Sequence, residues 1–577
     1  MWRLLPVVFL AGQLAADPAH RILLVAGDQW ADPSSTVLEG GHELNIAAAL
    51  LTTWGVPYEI LRLDQQRLDR YHLLERDGQP RYGTVVWAAG PYQGAQGDAA
   101  VISELVRDSA LNLIVLSDGI RHPEMARLTG VSYVSEYRRA EPLAAAGSPH
   151  FTTRGVNLPG EGIAPGYKVS LAGSTPALTR GDLPFLTVRE YPSGARVAWL
   201  GTHRPSAELA RQFARDLLKR CLVWTQRVLL YAAYDRAVLI EMHDSGNSEK
   251  TISPTWHLRT LSEDQFRTSV IEPLKRRKAV LTQVVNTGFV DRPSRRVLNP
   301  WTLNAAPDSL DPSLKHDYTS TKRGLDLGVR EGVFEINSHG WTHTLPDLDS
   351  PPGPFWDAPL DGAGSLAWFN EFADRLRQQD VPAATQRHHM QRSIDYLAAD
   401  FQVRPLFLRP PGGAGSLSPA THTPRIAAGM GFGLTRISSP YFLSPSLVLQ
   451  LGPVVQGTTW AFNREYKASD VPWTPDGPFF LAFHDRDVDK DPQWFARVLD
   501  ALPAGTRFMT ANEYTGYLHA QVTANAAGFE VRFDPHYGQH FSTRESTWIL
   551  HAATGGVETR PVRLPAGLGP HRINTGR

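Results

Sequence analysis

Four stretches of the sequence carry residue types that could do chemistry, and the most distinctive is EINSHGWTHT at residues 335–344. Its histidines, His339 and His343, lie four residues apart and follow an apolar, β-branched run. Neutral imidazoles at this spacing can offer two nitrogen ligands to a divalent metal ion. Gly340 follows the first histidine, which excludes the His-Glu-x-x-His pattern of zinc proteases. Because a chain with 20 histidines produces this spacing by chance, the interpretation depends on the other three stretches.

The second stretch, MHDSGNS at residues 242–248, ends an apolar run that we predict to be a strand starting at residue 236. In α/β folds, the C-terminal ends of strands are where active-site side chains assemble. Asp244 could supply the carboxylate that two histidines need to complete a metal site. The alternative is a turn or helix-cap aspartate before Ser-Gly-Asn, and this stretch alone favours that alternative.

The third and fourth stretches are FLRPPGGAG at 407–415 and FFLAFHD at 479–485. A rigid Pro-Pro turn would give Arg409 a fixed direction, so that it could orient a carboxylate or another active-site group. His484 follows an apolar strand, and an imidazole with an ordinary pKa of about 6.5 suits proton transfer near neutrality. The alternatives are a surface arginine in a common Pro/Gly-rich loop and a histidine bonded to the backbone.

In this order, the four stretches resemble the motifs of the polysaccharide deacetylases of the NodB-homology type. That family has Asp-Asp, His-Ser/Thr-x-x-His, Arg-x-Pro-x-Gly and Leu-x-His; EINSHGWTHT is similar to its EIGNHTYSH, and FLRPPGG to its FRPPYG. The resemblance covers residues 236–520. It implies a distorted (β/α) barrel in which Asp244, His339 and His343 hold a divalent metal ion, with zinc favoured.

The sequence departs from the family at the first motif, where the family has two adjacent aspartates, a general base followed by a metal ligand. Here the pair is His243-Asp244. If Asp244 is the ligand, His243 occupies the position of the base; an alternative register makes Asp244 the base and Ser245 a poor ligand. We favour the first register, because two histidines and one carboxylate make a competent metal site. The substitution leaves open a different base, a slower enzyme or a non-catalytic protein.

The resemblance implies further roles around this site. His484 would protonate the departing amine, with Arg409 or Asp485 tuning its neighbours. Trp341, inside the metal loop, is a candidate platform for a sugar ring, because sugars stack on aromatic faces. For Trp460 and Trp473 we favour packing in the core. The predicted substrate contacts are Trp341, Pro411, Gly412 and Asp485. We interpret the pair His388-His389 as helix-surface residues.

The elements that must position these residues are predicted by the hydrophobic pattern. Apolar runs at 21–27, 82–90 and 112–119 alternate with helical segments, which indicates a parallel sheet covered on both faces. We predict a flavodoxin-like domain over residues 20–228, with a β-rich insertion at about 143–190. It resembles the glutamine-amidotransferase-like module at the front of some secreted deacetylases.

The remainder of the α/β chain is predicted to form the NodB-type distorted barrel over residues 236–520 and a small β appendage over 525–577. The front domain is not expected to have amidotransferase activity. Its strand at 112–119 carries no cysteine, and the single cysteine, Cys221, lies in a predicted helix. One cysteine also excludes an intrachain disulfide and a cysteine-rich zinc site.

The balance of charged residues restricts the possible partners of the protein, and its N-terminal residues indicate its cellular location. Lysine plus arginine equals aspartate plus glutamate, at 58 each, so we expect no nucleic acid partner. Residues 1–16 are typical of a secretory signal peptide, with a basic residue, a short apolar run and small residues before the expected cleavage point. We therefore predict a secreted or periplasmic protein. No other segment is long and apolar enough to predict a membrane span.

The combination of front domain and barrel resembles the secreted deacetylases of carbohydrate esterase family 18. The expected function is metal-dependent N-deacetylation of an exopolysaccharide rich in N-acetylgalactosamine or N-acetylglucosamine, with release of acetate. The alternative, motivated by His243, is a non-catalytic carbohydrate-binding protein with a degenerate site. The oligomeric state cannot be predicted from this sequence.

Overall fold

The structure is a computed structural model of the 577-residue chain. It describes residues 21–27, 42–92, 98–139, 141–147, 150–154, 156, 158, 164–203, 212–254, 258–349, 354–361, 367–374, 377–415, 418, 420–437, 454–456, 459–460, 477–525, 528–552 and 558–574. The predicted signal peptide, 1–16, lies outside these residues. Among the described helices, none has the length and apolar character needed to cross a bilayer.

The N-terminal part of the chain alternates strands and helices and then becomes rich in strands. Its strands are β1 (Ile22–Ala26), β2 (Tyr58–Arg62), β3 (Thr84–Trp87), β4 (Asn112–Leu116), β5 (Val131–Arg139), β6 (Leu143–Ala145), β7 (Ala164–Leu171), β8 (Thr175–Arg180), β9 (Leu183–Glu190) and β10 (Arg196–Leu200). Its helices are α1 (His42–Trp54), α2 (Arg70–Leu73), α3 (Asp98–Asp108), α4 (Pro123–Thr129) and α5 (Gln212–Gln226), with a 3-10 turn at Ser117–Arg121. The three predicted apolar strands are therefore confirmed as β1, β3 and β4.

These strands form a sheet in the order β2-β1-β3-β4-β10-β9-β8-β6. The first five pair in parallel, whereas β9, β8 and β6 extend the sheet antiparallel. Successive residues of β1 enter different hydrophobic clusters, Leu24 on one face and Leu23 and Val25 on the other. Burial on both faces explains why the strands are continuous apolar runs in the sequence.

The second part of the chain is built around another parallel sheet. Its strands are β11 (Val228–Ala232), β12 (Ala237–Ser245), β13 (Leu281–Val285), β14 (Phe289–Asp291), β15 (Arg296–Leu298), β16 (Phe334–Ser338), β17 (Ala373–Asp374), β18 (Gln379–Asp380), β19 (Phe407–Leu408), β20 (Leu434–Ile437), β21 (Val454–Gln456), β22 (Thr459–Trp460), β23 (Phe479–His484) and β24 (Arg507–Met509). Its helices are α6 (Glu249–Ile252), α7 (Glu263–Phe266), α8 (Glu272–Arg277), α9 (Tyr318–Arg330), α10 (Ala383–Phe401), α11 (Thr423–Gly429), α12 (Asp485–Lys490), α13 (Trp494–Ala501) and α14 (Ala511–Leu518), with a π-helical turn at Arg267–Ile271 and 3-10 turns at Pro300–Thr302 and Phe355–Asp357.

The central sheet of this part is curled into a parallel half-barrel in the order β21-β20-β19-β16-β13-β12-β23-β22, with β24 also paired to β12. Every pairing in it is parallel. The chain is thus α/β in both parts, as predicted. All nine residues of β12 are buried, which matches the apolar run that begins it.

The C-terminal segment is antiparallel β-structure, with β25 (Gln521–Asn525), β26 (Gly528–Arg532), β27 (Ser546–Ala552), β28 (Glu558–Leu564), β29 (His571–Asn574) and a 3-10 turn at Gln539–Ser542. These strands form two sheets rather than one, β25-β26-β29 and β11-β27-β28. Strand β11, from residues 228–232, pairs with β27 over its whole length. The segment between the two predicted α/β domains is therefore joined to the end of the chain.

The register of the parallel strands brings the candidate residues to one edge of the half-barrel. His243 at the end of β12 is opposite His484 at the end of β23. Ser338, which precedes His339, is opposite Leu408, which precedes Arg409. Because parallel strands end at the same edge, motifs far apart in the sequence meet there.

Candidate metal centre

A β-bulge at the end of β12 directs two adjacent side chains toward the edge of the sheet. Met242 is opposite Gln283 and Ser245 opposite Val285, so two residues of β12 face one residue of β13. Asp244 has a φ of 71°, in the left-handed region that non-glycine residues seldom adopt. A regular strand would point His243 and Asp244 to opposite faces, whereas the bulge lets both approach the same histidines.

The three residues predicted as metal ligands lie together and are buried. Oδ1 of Asp244 is 3.2 Å from Nε2 of His339 and 3.7 Å from Nε2 of His343. Ligand atoms of the three side chains all lie within 4.8 Å of one another. Ligands of a tetrahedral zinc ion are about 3.4 Å apart, given Zn–N and Zn–O distances of about 2.0–2.1 Å. The arrangement therefore fits a divalent cation.

A hydrogen bond of His339 and an ion-pair contact of His343 show which nitrogen of each ring faces Asp244. Nδ1 of His339 donates to the carbonyl of Arg409 at 2.7 Å, and Nδ1 of His343 lies 2.7 Å from Oε1 of Glu249. The Nε2 atom of each ring therefore faces Oδ1 of Asp244, which accepts no hydrogen bond of good geometry from the described residues. Two ring nitrogens and a carboxylate oxygen gathered at one point form a set of ligand atoms that a bound cation would stabilise.

The pKa values follow from burial and the crowding of these charges. Burial raises the pKa of Asp244, but His484, His339 and His343 outweigh it and hold the pKa well below its usual value. Burial lowers the pKa of His343, but Glu249, Asp244 and Glu371 raise it to about 9. Without a metal, His343 thus takes up a proton in the place that a cation would occupy, and metal binding would release that proton.

The loop that carries the two histidines is held by a buried carboxylate, Glu371. Its oxygens accept backbone N–H groups of Trp341 at 2.8 Å, Thr342 at 3.3 Å and His343 at 2.9 Å. Gly340 has a φ of 79°, and a Cβ atom there would collide with the Glu371 carboxylate. A side chain at this position would strain the backbone and displace the carboxylate that holds the loop, which favours glycine here.

His389 of α10 contacts the same Glu371 carboxylate. Its Nδ1 is 2.7 Å from Oε1 of Glu371 and its Nε2 is 2.7 Å from Oδ1 of Asp347. The prediction that His388 and His389 are both surface residues is right for His388 and wrong for His389, which is fully buried. The reason is the helical period, which turns adjacent residues to different faces.

The remaining residues predicted to be catalytic surround the metal ligands. The rings of His339 and His484 lie 4.9 Å and 5.4 Å from the ring of His243. Nε2 of His484 lies 3.5 Å from Oδ2 of Asp244. Arg409 is buried, its Nη1 donates to the carbonyl of Arg436 at 3.0 Å, and burial lowers its pKa to about 9. Their catalytic roles stay predictions.

The residues predicted to contact the substrate are more buried than the sequence suggested. Trp341 is only 7% exposed, lies edge-on to His388 and His389, and has Arg392 over its ring. Asp485 is buried and accepts from Nζ of Lys250, whose pKa burial lowers to about 7.

Two further contacts, Pro411 and Gly412, lie in the turn after β19. Pro411 is buried, and Gly412 has a φ of 65°, where a Cβ atom would collide with the carbonyl of Phe369. Contact with substrate stays a prediction for all four residues. Trp473 and the side chain of Trp460 lie outside the described part of the chain.

Sequence reasoning missed Glu241, Glu249 and Glu371. Glu241 carried a visible signal, because it is a lone charge inside an apolar run that becomes a fully buried strand. Glu249 lies in a polar stretch that has no periodicity. Glu371 lies in an irregular segment about 30 residues from the loop that it holds. The residues around Glu249 and Glu371 form no pattern that would predict a functional role for either.

No protein-family model matches the chain, and no curated protein matches it in sequence. The chain is similar to a solved structure of a putative polysaccharide deacetylase from Mycobacterium smegmatis, at 14% identity and a TM-score of 0.27 over 48% of this chain and 87% of that one. It is also similar to the Xyl-CE4 domain of a multidomain xylanase from the hindgut metagenome of Trinervitermes trinervoides, at 13% identity and a TM-score of 0.25 over 48% and 89%.

A third similar structure is BA3943, a CE4 family pseudoenzyme from Bacillus anthracis, at 10% identity and a TM-score of 0.26 over 49% of this chain and 66% of that one. The structural neighbours thus include a putative polysaccharide deacetylase, a CE4 domain and a CE4 family pseudoenzyme. With TM-scores below 0.5, these similarities carry no argument about function. The assignment of a function depends on the motifs and on the geometry of the site.

Proposed function

We propose that this chain is a metal-dependent polysaccharide deacetylase that hydrolyses the acetamide of N-acetylhexosamine residues. One observation carries the proposal. Asp244, His339 and His343 converge at the C-terminal edge of a parallel sheet, with two more imidazoles, His243 and His484, at the same edge. Acyl hydrolysis needs an electrophilic centre, a proton acceptor and a proton donor, and this edge has a candidate for each.

A bound divalent metal ion, with zinc favoured, supplies a Lewis acid for the amide carbonyl and a lowered pKa for water. His243 accepts a proton from the water whose oxygen bonds to the carbonyl carbon. His484 donates a proton to the nitrogen as the carbon–nitrogen bond breaks. The products are acetate and a free amine on the polymer. Arg409 orients His339 through its backbone carbonyl.

The whole-chain proposal extends to location and domains. Residues 1–16 would direct export, and the substrate would then be an exopolysaccharide rich in N-acetylgalactosamine or N-acetylglucosamine, as in carbohydrate esterase family 18. The N-terminal unit, proposed over 20–228, is assigned as flavodoxin-like because its parallel strands follow the 2-1-3-4-5 order of such sheets. The catalytic unit is proposed over 236–520 and the appendage over 525–577.

The proposal is tested by acetate release from polymers of N-acetylgalactosamine and of N-acetylglucosamine. We expect release from one of them by the zinc-loaded chain and its loss in Asp244→Asn, which keeps the shape but removes the ligand charge. Asp108→Asn, at an exposed position, is the matched control. Equal release by Asp244→Asn and the control would contradict the proposal.

A second candidate, a non-catalytic carbohydrate-binding protein, is favoured by one observation. Burial lowers the pKa of His243 to about 4, despite the opposing effect of Glu241, which makes its imidazole a weaker base. Metal-dependent retention of a polymer without any release of acetate would support this candidate over the enzyme.

A further inference from the structure

The strand that supplies His243 also buries a carboxylate, that of Glu241, one layer below it. Strand β12 pairs in regular register with β23 as far as His243, so Glu241 and His243, two positions apart, share a face of the strand, and both are at most 1% exposed. An isolated carboxylate is strongly disfavoured in such a place. Burial therefore requires partners for both of its oxygens.

Two different groups provide these partners. Nη1 of Arg436 donates to Oε1 at 2.5 Å, and Nε2 of His243 lies 3.1 Å from Oε2. Arg436 is itself fully buried and lies over the ring of Phe480 at 4.2 Å. Burial raises the pKa of Glu241, but Arg436, His243 and Arg409 outweigh it and lower the pKa to about 2. Glu241 is consequently ionised and can only accept hydrogen bonds.

This charge state fixes the tautomer of His243. Because the carboxylate cannot donate, the proton of the neutral imidazole must be on Nε2, which leaves the lone pair on Nδ1. A guanidinium commonly pairs with both oxygens of one carboxylate. Here the hydrogen bond from Arg436 uses Oε1, and the second oxygen faces the histidine. A carboxylate that served only to neutralise Arg436 would not need to direct its second oxygen at His243.

We infer that Glu241 is a positioning residue, which fixes the ring and tautomer of His243 so that Nδ1 accepts the proton of the attacking water. The inference rests on the proposed deacetylase function. In the step, the water oxygen bonds to the carbonyl carbon, its proton moves to Nδ1, and the Nε2–H bond to Glu241 persists. The resulting imidazolium is stabilised by the adjacent carboxylate, and Glu241 is not itself protonated.

The substitution Glu241→Gln tests this geometry sharply. Arg436 can only donate, so the amide oxygen of the new side chain must face it, and the amide NH₂ group must face His243. His243 then has to accept at Nε2, which moves its proton to Nδ1. We expect kcat to fall about 10²–10⁴-fold, with KM and zinc content unchanged, as for loss of a proton acceptor.

Two other variants complete the series. Glu513→Gln is the matched control, because Glu513 is another buried carboxylate paired with an arginine, Arg507, away from the metal centre. It should keep kcat. Glu241→Asp keeps the carboxylate and should restore part of the lost rate. Equal kcat values for Glu241→Gln and Glu513→Gln would overturn the inference while leaving the deacetylase function in place.

A spectroscopic measurement needs no activity, and its result for the wild type needs no stable Glu241 variant. ¹⁵N chemical shifts of the imidazoles in the ¹⁵N-histidine-labelled, zinc-loaded chain report the tautomer of His243, assigned by difference from His243→Gln. We expect Nε2–H in the wild type and Nδ1–H in Glu241→Gln. Nδ1–H in the wild type would overturn the inference. Nε2–H together with no acetate release from any polymer would show that Glu241 fixes the tautomer of His243, but it would refute the deacetylase function and with it the catalytic part of the inference.

Discussion

At the scale of single residues, the metal centre depends on carboxylates that touch the histidines rather than the metal. Glu249 lies 2.7 Å from Nδ1 of His343 and sets which nitrogen of that ring faces Asp244. Carboxylates in this position orient the ligand and raise its basicity, and their loss commonly weakens metal binding about 10–100-fold.

We therefore expect Glu249→Gln to raise the Kd for zinc about 10–100-fold, because the amide holds the His343 ring without its charge. Competition with a chromophoric chelator measures the Kd. Glu513→Gln, which removes a buried carboxylate elsewhere, should leave it unchanged. A Kd for Glu249→Gln equal to that of the control would show that Glu249 does not support the metal centre.

The affinity for zinc should also depend on pH through His343. Burial lowers the pKa of His343, but Glu249, Asp244 and Glu371 raise it to about 9 in the metal-free protein. A metal ion must displace that proton, so affinity should rise about tenfold per pH unit below pH 9 and level off above it. Zinc competition at pH 7, 8, 9 and 10 measures the slope. A flat profile between pH 7 and 9 would contradict this assignment of the proton.

At the scale of elements, the positions of strand ends were predictable and their irregularities were not. Strands buried on both faces appear as apolar runs, so the sequence locates β12 and β23 and the polar residues that end them. The bulge in β12 depends on its pairing with β13, which no local pattern shows. The hold of Glu371 on the histidine loop is equally non-local, since it joins segments about 30 residues apart.

The loop should consequently lose stability when Glu371 is changed. Glu371→Gln removes a buried charge that accepts three backbone N–H groups and faces His389, whose pKa is raised to about 9. Leaving such donors poorly satisfied should destabilise the protein by about 3 kcal/mol. The thermal unfolding midpoint of the metal-free protein measures the loss. Glu331→Gln, at an exposed position, is the control, and equal midpoints for the two variants would contradict the role of Glu371.

At the scale of the whole molecule, the C-terminal segment connects parts of the chain that the hydrophobic pattern predicts to be separate domains. Strand β11 pairs with β27 across about 300 residues. Trp548 of β27 is fully buried, its ring lies 5.5 Å from that of Tyr517 in α14, and it closely approaches Gly55 after α1. Alternating apolar and polar residues predicted the strands, but partners this distant leave no local signal.

Removing that ring should therefore destabilise more than the appendage. Trp548→Ala leaves a cavity between β27, α14 and the turn after α1. The free energy of unfolding should fall by about 3–5 kcal/mol. Thermal unfolding followed by circular dichroism measures the shift in midpoint. Tyr71→Ala, at a position that is 88% exposed, should unfold like the wild type. A midpoint for Trp548→Ala equal to that of Tyr71→Ala would show that the C-terminal segment does not stabilise the rest of the chain.

The central claim, that Asp244, His339 and His343 hold the metal ion that drives deacetylation, is tested most directly by one titration. Zinc is added to the metal-free chain while acetate release from an N-acetylhexosamine polymer is followed. We expect release to rise in proportion to zinc and to saturate at about one equivalent, as for a mononuclear catalytic site. The exposed-position variant His388→Ala should behave in the same way, and His339→Ala should release none. Acetate release that is independent of zinc, or that survives in His339→Ala, would contradict the account.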